Sequence, residues 1–226
     1  MSAPKVASRK ASTTSDKPRT AIGTARATLR MQVGGVLTLL AGVFILMGII
    51  TAETQYPSHL HYSTRTNEIS DLGATVPPHS IITEPSAHIF DTVMIVTGLM
   101  LIAGAIFSYS AHRRKVFAAL ALLLGIGVLG VGIFPGNHHD IHRIFSMIAF
   151  LFGGLAAVMS YRAVKGPFRF IVLLLGSTTL LTLFVGTAVL TNTLGAGGIE
   201  RWIAYPVVLW MVCYGGYVLG DKRSIA

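Results

Sequence analysis

The sequence has little charge and almost no cysteine. Only 12% of its 226 residues are charged, whereas soluble folds carry about a quarter. Its single cysteine, Cys213, excludes an intrachain disulfide. Apolar residues make up 52% of the chain, and the mean hydropathy is +0.65. These values exclude an ordinary soluble domain and favour a membrane protein.

The apolar residues are collected in six runs, each close to the roughly 20 residues that cross a bilayer as a helix. The runs are Met31–Ala52, Ala87–Ser110, Val116–Phe134, Ile144–Tyr161, Phe168–Thr191 and Trp202–Gly220. Because lipid cannot satisfy exposed backbone groups, each run is expected to be helical. The sequence therefore predicts an all-α fold, a bundle of six transmembrane helices within residues 27–220.

Ionisable side chains are missing from the interior of these runs, apart from His88 and Asp91 near the start of the second. Proton- and ion-coupled transporters place such groups near the bilayer midplane. Their absence there disfavours a transporter.

The basic residues lie mostly on one side of the predicted bundle. All but three of the 18 precede the first run, follow the last, or connect the second run to the third and the fourth to the fifth. The exceptions are Arg65, Arg143 and Arg201. Since basic residues in short loops stay cytoplasmic, both termini are predicted inside, as a disordered basic tail over 1–26 and a short tail over 221–226. The net charge of +9 then reflects membrane topology rather than nucleic-acid binding.

The longest connection joins the first and second runs on the predicted outer side. It contains the stretch Asn67 to Gly73 and the pair Pro77-Pro78, with aromatic and acidic residues between and around them. Long loops in compact proteins are usually functional or disordered. This composition favours a folded outer loop over the bundle.

Histidines and acids are concentrated on that same side. Only His112 of the eight histidines, and Asp16 and Asp221 of the nine acids, fall on the inner side. In the fourth run, Asn137 is expected to be the N-cap, with His138 and His142 on one face of the helix that follows. The spacing of His88 and Asp91 likewise places them on one face of the second helix.

Three interpretations of these outer residues stay open. If the second and fourth helices are neighbours, His88, His138 and His142 with Asp91 could bind zinc and leave a position open for water. They could instead contact a lipid head group, together with loop residues Asn67, Ser70 and Asp71. They could also be interfacial residues that cap helices and bond to one another.

Two glycine-rich faces could let helices approach closely. The third run carries Gly125, Gly127, Gly130 and Gly132, and the sixth carries Gly216 and Gly220. A homo-oligomer through such a face is one prediction, and packing within the chain is the alternative.

Short motifs resemble a known family. Asn-Glu-Ile-Ser-Asp-Leu-Gly over 67–73, Pro77-Pro78 and the Phe134 to His142 segment resemble the bacterial and archaeal membrane family catalogued as domain of unknown function 998. The Ile-Ser-Asp-x-Gly-x-x-x-Pro-Pro pattern and the His-Asp-Ile-His turn are similar, more distantly, to the six-helix Frag1, DRAM and Sfk1 group. The first resemblance implies six helices, a bacterial or archaeal cell membrane and no established activity. The second implies that lipid is the molecule handled.

The sequence as a whole predicts an integral membrane protein that binds a lipid head group in an outer interfacial pocket. The alternatives are a metal-dependent membrane hydrolase with a His/Asp site and a structural or accessory subunit without a ligand. Whether the protein is an enzyme stays open.

Overall fold

The computed structural model describes residues 17–112 and 115–220, with side chains over 23–109 and 115–220. The helices are α1 (Lys17–Thr54), α2 (Ser86–His112), α3 (Lys115–Ile133), α4 (His139–Ser160), α5 (Phe168–Leu181) and α6 (Thr187–Gly220). Of the predicted tails, 1–16 and 221–226 lie outside the described residues, whereas 17–26 form the start of α1.

Five helical segments are long and apolar enough to cross a membrane. They are Gly23–Thr54, Ser86–Tyr109, Lys115–Ile133, Gly136–Ser160 and Phe168–Gly220. The described residues contain no strand, only an isolated antiparallel bridge between Ala74 and Ile82. The prediction of an all-α membrane protein is confirmed.

The fifth of these segments changes direction within its length. A π-helical turn over Thr182–Gly186 joins α5 to α6, and Gly195 inside α6 has non-helical backbone angles, φ 74° and ψ 170°. The Thr179 hydroxyl donates a 2.9 Å hydrogen bond to the Ile203 carbonyl, although the two residues are 24 apart. In a straight helix they would be separated by roughly 36 Å. The chain therefore folds back at Gly195, and the two arms pack side by side.

This fold-back differs from the sequence prediction in one respect. The interruption between the fifth and sixth runs was expected to be a loop that includes Arg201, but helix resumes directly after Gly195. Glu200 and Arg201 therefore lie on α6, within two helical turns of the point of reversal. A glycine that can adopt positive φ makes this close connection feasible without a longer loop.

The helices form a ring in chain order. Each of α1 to α5 packs against the next helix, and α6 closes the ring against α1. Consequently α3 packs between α2 and α4. A zinc site shared by His88, His138 and His142 requires α2 and α4 to be neighbours. The core between them includes Trp210, Phe90 and Ile49, each at most 2% exposed.

Residues 55–85 form the connecting segment between α1 and α2. This segment lies across the end of the bundle where α1 ends and α2 begins, and we call that end the loop end. Ile69, Leu72 and Ala74 of this segment are buried. The Leu72 carbonyl accepts hydrogen bonds from the hydroxyls of Thr83 (2.7 Å) and Ser86 (2.9 Å). These contacts pin the segment to the start of α2.

The start of α4 differs from the expectation by one residue. A short 3₁₀ turn covers Gly136–His138, and α4 begins at His139 with His138 in the N-cap position. The prediction of Asn137 as N-cap is wrong, because Pro135 starts a separate turn closed by the His138 amide on its carbonyl, at 2.9 Å.

The two glycine-rich faces have different surroundings. The glycines of α3 are buried, and a Cβ on Gly127 would overlap the backbone of Ala149 on α4. Gly220 has no atom within 4 Å of the place where a Cβ would lie, and Gly216 has only the tip of Leu39 at 3.8 Å. The α3 face thus packs within the chain, and an oligomer through Gly216 and Gly220 stays a prediction.

Candidate functional site

The histidines of the proposed zinc site have different environments. His88 is exposed, with 84% of its side-chain surface accessible, and its Nδ1 lies 2.6 Å from Glu84. His138 is exposed and contacts the ring of Phe134 edge-on. His142 is buried at 7% exposure, and its Nδ1–H donates a 2.7 Å hydrogen bond to the Phe134 carbonyl. His138 and His142 therefore do not present a common face.

Asp91 lies under the connecting segment. A Cβ on Gly73 would be 2.8 Å from the Asp91 Oδ1 atom, and that oxygen is buried with no hydrogen-bond partner among the described residues. Within 17–112 and 115–220, no group of three or more His, Cys, Asp or Glu side chains is placed to hold a metal ion. Zinc binding by His88, Asp91, His138 and His142 stays a prediction.

The loop residues Asn67 and Asp71 shape a turn. The Asp71 carboxylate accepts hydrogen bonds from the Glu68 amide at 3.0 Å and from the Asn67 side chain at 3.3 Å. Burial raises the pKa of Asp71, and these hydrogen bonds partly oppose the shift. Burial and then the charge of Asp71 raise the pKa of Glu68. Ile69 and Ser70 lie within this turn, and both are buried.

Arg201 binds the connecting segment to the bundle, and the sequence interpretation missed it. Its Nη1 group donates to the carbonyls of Thr64 (3.2 Å), Asn67 (3.0 Å) and Gly197 (2.9 Å). Its Nη2 group donates to Glu53 at 2.8 Å and to the Tyr62 hydroxyl. The side chains of Arg201 and Glu53 are only 11% and 23% exposed. Planar guanidinium groups suit such multiple contacts.

Tyr62 completes this network. Burial is the main cause of its raised pKa, so the phenol keeps its proton. Its oxygen accepts from Arg201 while its proton can be donated to Glu53 at 3.4 Å or to the Glu68 carbonyl at 3.3 Å. The arginine, the glutamate and the phenol together join α1, α6 and the connecting segment.

Glu200, the neighbour of Arg201, faces a different partner. One of its carboxylate oxygens accepts a hydrogen bond from the Ile69 amide. Glu200 also lines the space inside the ring of helices.

That space is a cavity of about 60 Å³ in the half of the bundle nearest the loop end. Helices α1, α2, α3, α4 and α6 contribute to its wall, and Ile69 and Ser70 of the connecting segment line it as well. The wall is apolar except for Ser70, Ser146 and Glu200. The arrangement, mostly apolar with a few polar groups, is typical of a small-molecule site.

Of the residues predicted from sequence, Ser70 alone lines this cavity. Asn67 and Asp71 do not line the cavity but form hydrogen bonds that stabilise the turn containing Ser70. His88 and His138 lie at the exposed surface. Two adjacent charges at the head of an apolar run, Glu200 and Arg201, were the signal that could have indicated the missing partners. Charged side chains at such a boundary are costly in lipid unless each of them pairs with a polar or oppositely charged group.

Comparisons with known proteins assign the chain to a family. Neither the curated proteins nor the solved structures contain a significant match to this chain. A family described as "Protein of unknown function (DUF998)" matches residues 25–217, which begin within α1 and end three residues before the end of α6. The chain therefore belongs to the DUF998 family of proteins of unknown function.

Proposed function

We propose that this protein is a six-span membrane protein that binds a lipid or a similar amphiphile in the cavity beneath the connecting segment. The observation that carries the proposal is the cavity itself. Its 17 lining residues come from five helices and the connecting segment, and all but Ser70, Ser146 and Glu200 are apolar, the composition expected of a small-ligand site. The apolar wall suits a hydrocarbon chain, and the polar groups suit a head group.

The six-span topology is supported by the reversal at Gly195. A straight helix over Phe168–Gly220, 53 residues long, would extend for roughly 80 Å, far more than the hydrocarbon core of about 30 Å. Division at Gly195 gives two arms of roughly 40 Å, each long enough to cross the core once. Both termini are then cytoplasmic, as the basic residues predict. The loop end faces outward from a bacterial or archaeal cell membrane.

In this proposal the head-group site lies deeper in the bundle than the interfacial position expected from the sequence. Ser70 and Glu200 line the cavity, so they are the direct contacts in this proposal. Asn67 and Asp71 hold the turn that presents Ser70. The resemblance to the Frag1, DRAM and Sfk1 group, which has members linked to glycolipid-anchor remodelling and phospholipid asymmetry, would also imply a lipid.

Native mass spectrometry of protein released from lipid nanodiscs tests the proposal. The wild type is expected to retain one amphiphile for each chain. Ala204→Leu places a larger side chain in the cavity wall and should abolish retention. Ala188→Leu, at an exposed position on α6 outside the cavity lining, is the matched control and should retain it. Equal retention by all three proteins, or none by the wild type, would favour the structural-subunit alternative.

A further inference from the structure

The end of the bundle opposite the loop end carries cations from several elements, and we call it the basic end. Its basic residues with described side chains are Arg26 and Arg30 of α1, Lys115 of α3, and Arg162, Lys165 and Arg169 at the connection of α4 to α5. The elements meet at this end. A Cβ on Gly34 of α1 would lie 2.6 Å from the Ser108 hydroxyl of α2, and the Tyr217 hydroxyl of α6 accepts a 3.0 Å hydrogen bond from the Lys165 amide.

Acidic residues do not balance these cations. Every acid within 17–112 and 115–220, from Glu53 to Glu200, lies at or near the loop end. The two remaining acids, Asp16 and Asp221, lie outside the described residues and can neutralise only two of the many basic residues on this side. The basic end therefore keeps an excess of positive charge that the chain itself does not balance.

Arg169 is a cation in a defined position at this end. The central carbon of its guanidinium group lies 4.7 Å from the centroid of the Tyr161 ring and 5.8 Å from that of Phe170. Its Nε atom is buried and has no hydrogen-bond partner among the described residues. Stacking on an aromatic ring uses the face of the guanidinium group, and the N–H groups on its edge can form the bidentate contact that suits a phosphate.

The backbone at the basic end also favours an anion. The first turn of α3 begins at Lys115, and that of α5 contains Arg169, and neither turn has an acidic residue. The start of a helix carries a partial positive charge, which favours anions and disfavours cations. A phosphate at the α4–α5 connection would stabilise both the charge of Arg169 and the start of α5.

Membrane topology explains why basic residues lie at this end, but it does not explain their packing. The bias towards cytoplasmic Lys and Arg depends on how many such residues the short loops contain, not on their neighbours. It requires neither the stacking of Arg169 on Tyr161 nor the hydrogen bond from Lys165 to Tyr217. The Phe168 ring also stacks on Tyr217, with centroids 5.2 Å apart. These contacts give the α4–α5 connection the fixed geometry that a binding site needs.

We propose that the α4–α5 connection binds the phosphate of an anionic phospholipid, with Arg169 in contact with the phosphate and Lys165 adding a second positive charge. Phe170, next to Arg169, is 67% exposed on the outside of the bundle, where the acyl chains of a lipid would lie. A zwitterionic lipid fits less well, because its own cationic group would meet further cations and no described acid. The site lies at the opposite end of the bundle from the cavity and does not depend on it.

Native mass spectrometry of the full-length protein tests the proposal. The protein is released from nanodiscs that contain equal amounts of dioleoylphosphatidylglycerol and dioleoylphosphatidylcholine, and the ratio of the two lipid adducts is measured. The wild type should retain phosphatidylglycerol at least about tenfold better than phosphatidylcholine, the size expected for one charge-assisted hydrogen bond.

Three variants locate the site. Arg169→Gln should lower this lipid ratio about tenfold, and Lys165→Gln should lower it about fivefold, the size expected for one basic residue near an anionic surface. Arg143→Gln, at an exposed position near the loop end, removes the same charge and is the matched control, so its ratio should equal that of the wild type. Lys165 is exposed and contributes only its backbone amide to the hydrogen bond with Tyr217, so Lys165→Gln keeps the test valid even if Arg169→Gln does not fold.

The outcomes that overturn the proposal are distinct. Equal retention of the two lipids by the wild type, or an unchanged ratio in folded Arg169→Gln or in Lys165→Gln, shows that the connection does not select an anionic lipid. An equal fall in Arg143→Gln and Arg169→Gln shows that net charge alone holds the lipid. Inorganic phosphate added in excess should leave the ratio unchanged, and loss of phosphatidylglycerol adducts would identify a site for free phosphate instead.

Discussion

Arg201 is the residue on which the attachment of the connecting segment depends most. Replacing it with alanine leaves Glu53 without its cationic partner in a site where both side chains are largely buried. Loss of one partner from such a pair destabilises proteins by about 3 kcal/mol or more. We therefore expect Arg201→Ala to lower the melting temperature in detergent and to expose residues 55–85 to protease.

Arg143 provides the matched control, because it is exposed and lies near the same end of the bundle. Arg143→Ala should change the free energy of unfolding by no more than about 0.5 kcal/mol. Similar losses of stability in the two variants would show that Arg201 contributes only its charge, not the contacts seen here.

Glu68 should give the connecting segment a pH-dependent stability. Burial and the nearby Asp71 raise the pKa of Glu68 above its ordinary value of 4.5, so the folded state binds more protons than the unfolded state in the window above that value. Stability from this group is then greatest below pH 4.5 and declines as the pH rises through the folded pKa. Glu68→Gln should raise the melting temperature at neutral pH and flatten part of this slope.

Melting temperatures of wild type and Glu68→Gln across a series of pH values down to the ordinary glutamate pKa check this expectation. Part of the slope should remain in the variant, because burial also raises the pKa of Asp71. Parallel slopes for the two proteins would contradict the role given to Glu68.

Contacts between residues close in sequence could be predicted, whereas contacts between distant residues could not. The turn formed by Asn67 and Asp71 was predictable, because its hydrogen bonds are local in sequence. The contacts of Arg201 with Glu53 span 148 positions, and no local pattern reports such a distance. The histidine cluster was inferred from proximity to one membrane face, which does not specify which helices are neighbours.

At the scale of elements, Gly195 controls the reversal between the two arms of the fifth segment. Its φ of 74° with ψ of 170° lies in a region that is essentially restricted to glycine, where other residues cost about 1–3 kcal/mol. An added Cβ would also overlap the Arg65 carbonyl. Gly195→Ala should therefore lower the melting temperature and loosen the contact between α6 and the connecting segment.

Gly216→Ala is the control for a glycine in ordinary helical conformation. A Cβ there meets only the tip of Leu39 at 3.8 Å, and alanine favours helix more than glycine does. Its melting temperature should equal or exceed that of the wild type. A comparable fall in melting temperature in both variants would contradict a specific role for the positive φ of Gly195.

Element boundaries were predictable where charge or proline ends a helix. The expected run Ala87–Ser110 corresponds to α2, Ser86–His112, and the run Val116–Phe134 to α3, Lys115–Ile133. The boundary between the fifth and sixth runs was expected at polar residues, but helical hydrogen bonding continues through Asn192 and Thr193. Polar residues mark the end of an apolar run, whereas a backbone break requires a residue such as Gly195.

At the scale of the whole molecule, the six-span topology makes a labelling prediction. In a Cys213→Ser background, Ser58→Cys on the connecting segment and Thr193→Cys beside Gly195 should react with an impermeant maleimide from outside the cell. Lys165→Cys, between α4 and α5, should react only after permeabilisation. All three positions are exposed.

Two results would contradict this topology. A Thr193→Cys variant that is unreactive from both sides would place Gly195 within the bilayer, as a single long fifth span requires. Reaction of Ser58→Cys and Lys165→Cys from the same side would contradict the alternation of spans.

The membrane class followed directly from composition, because long apolar runs have few alternatives to spanning helices. The interior cavity did not, since it depends on how five helices and the connecting segment pack together. Its polar residues, Ser70, Ser146 and Glu200, are far apart in sequence, and of the three only Ser70 belongs to a motif. The candidate site therefore emerged from packing rather than from a sequence pattern.

The most direct measurement is a cryo-electron microscopy map of the wild-type protein in native-lipid nanodiscs. The account predicts an elongated density inside the cavity, with its polar end within hydrogen-bonding distance of Glu200 Oε1 and Ser70, and its chain directed along α6 towards Met211. A cavity closed by repacked side chains, with lipid density confined to the outer surface of the helices, would contradict it.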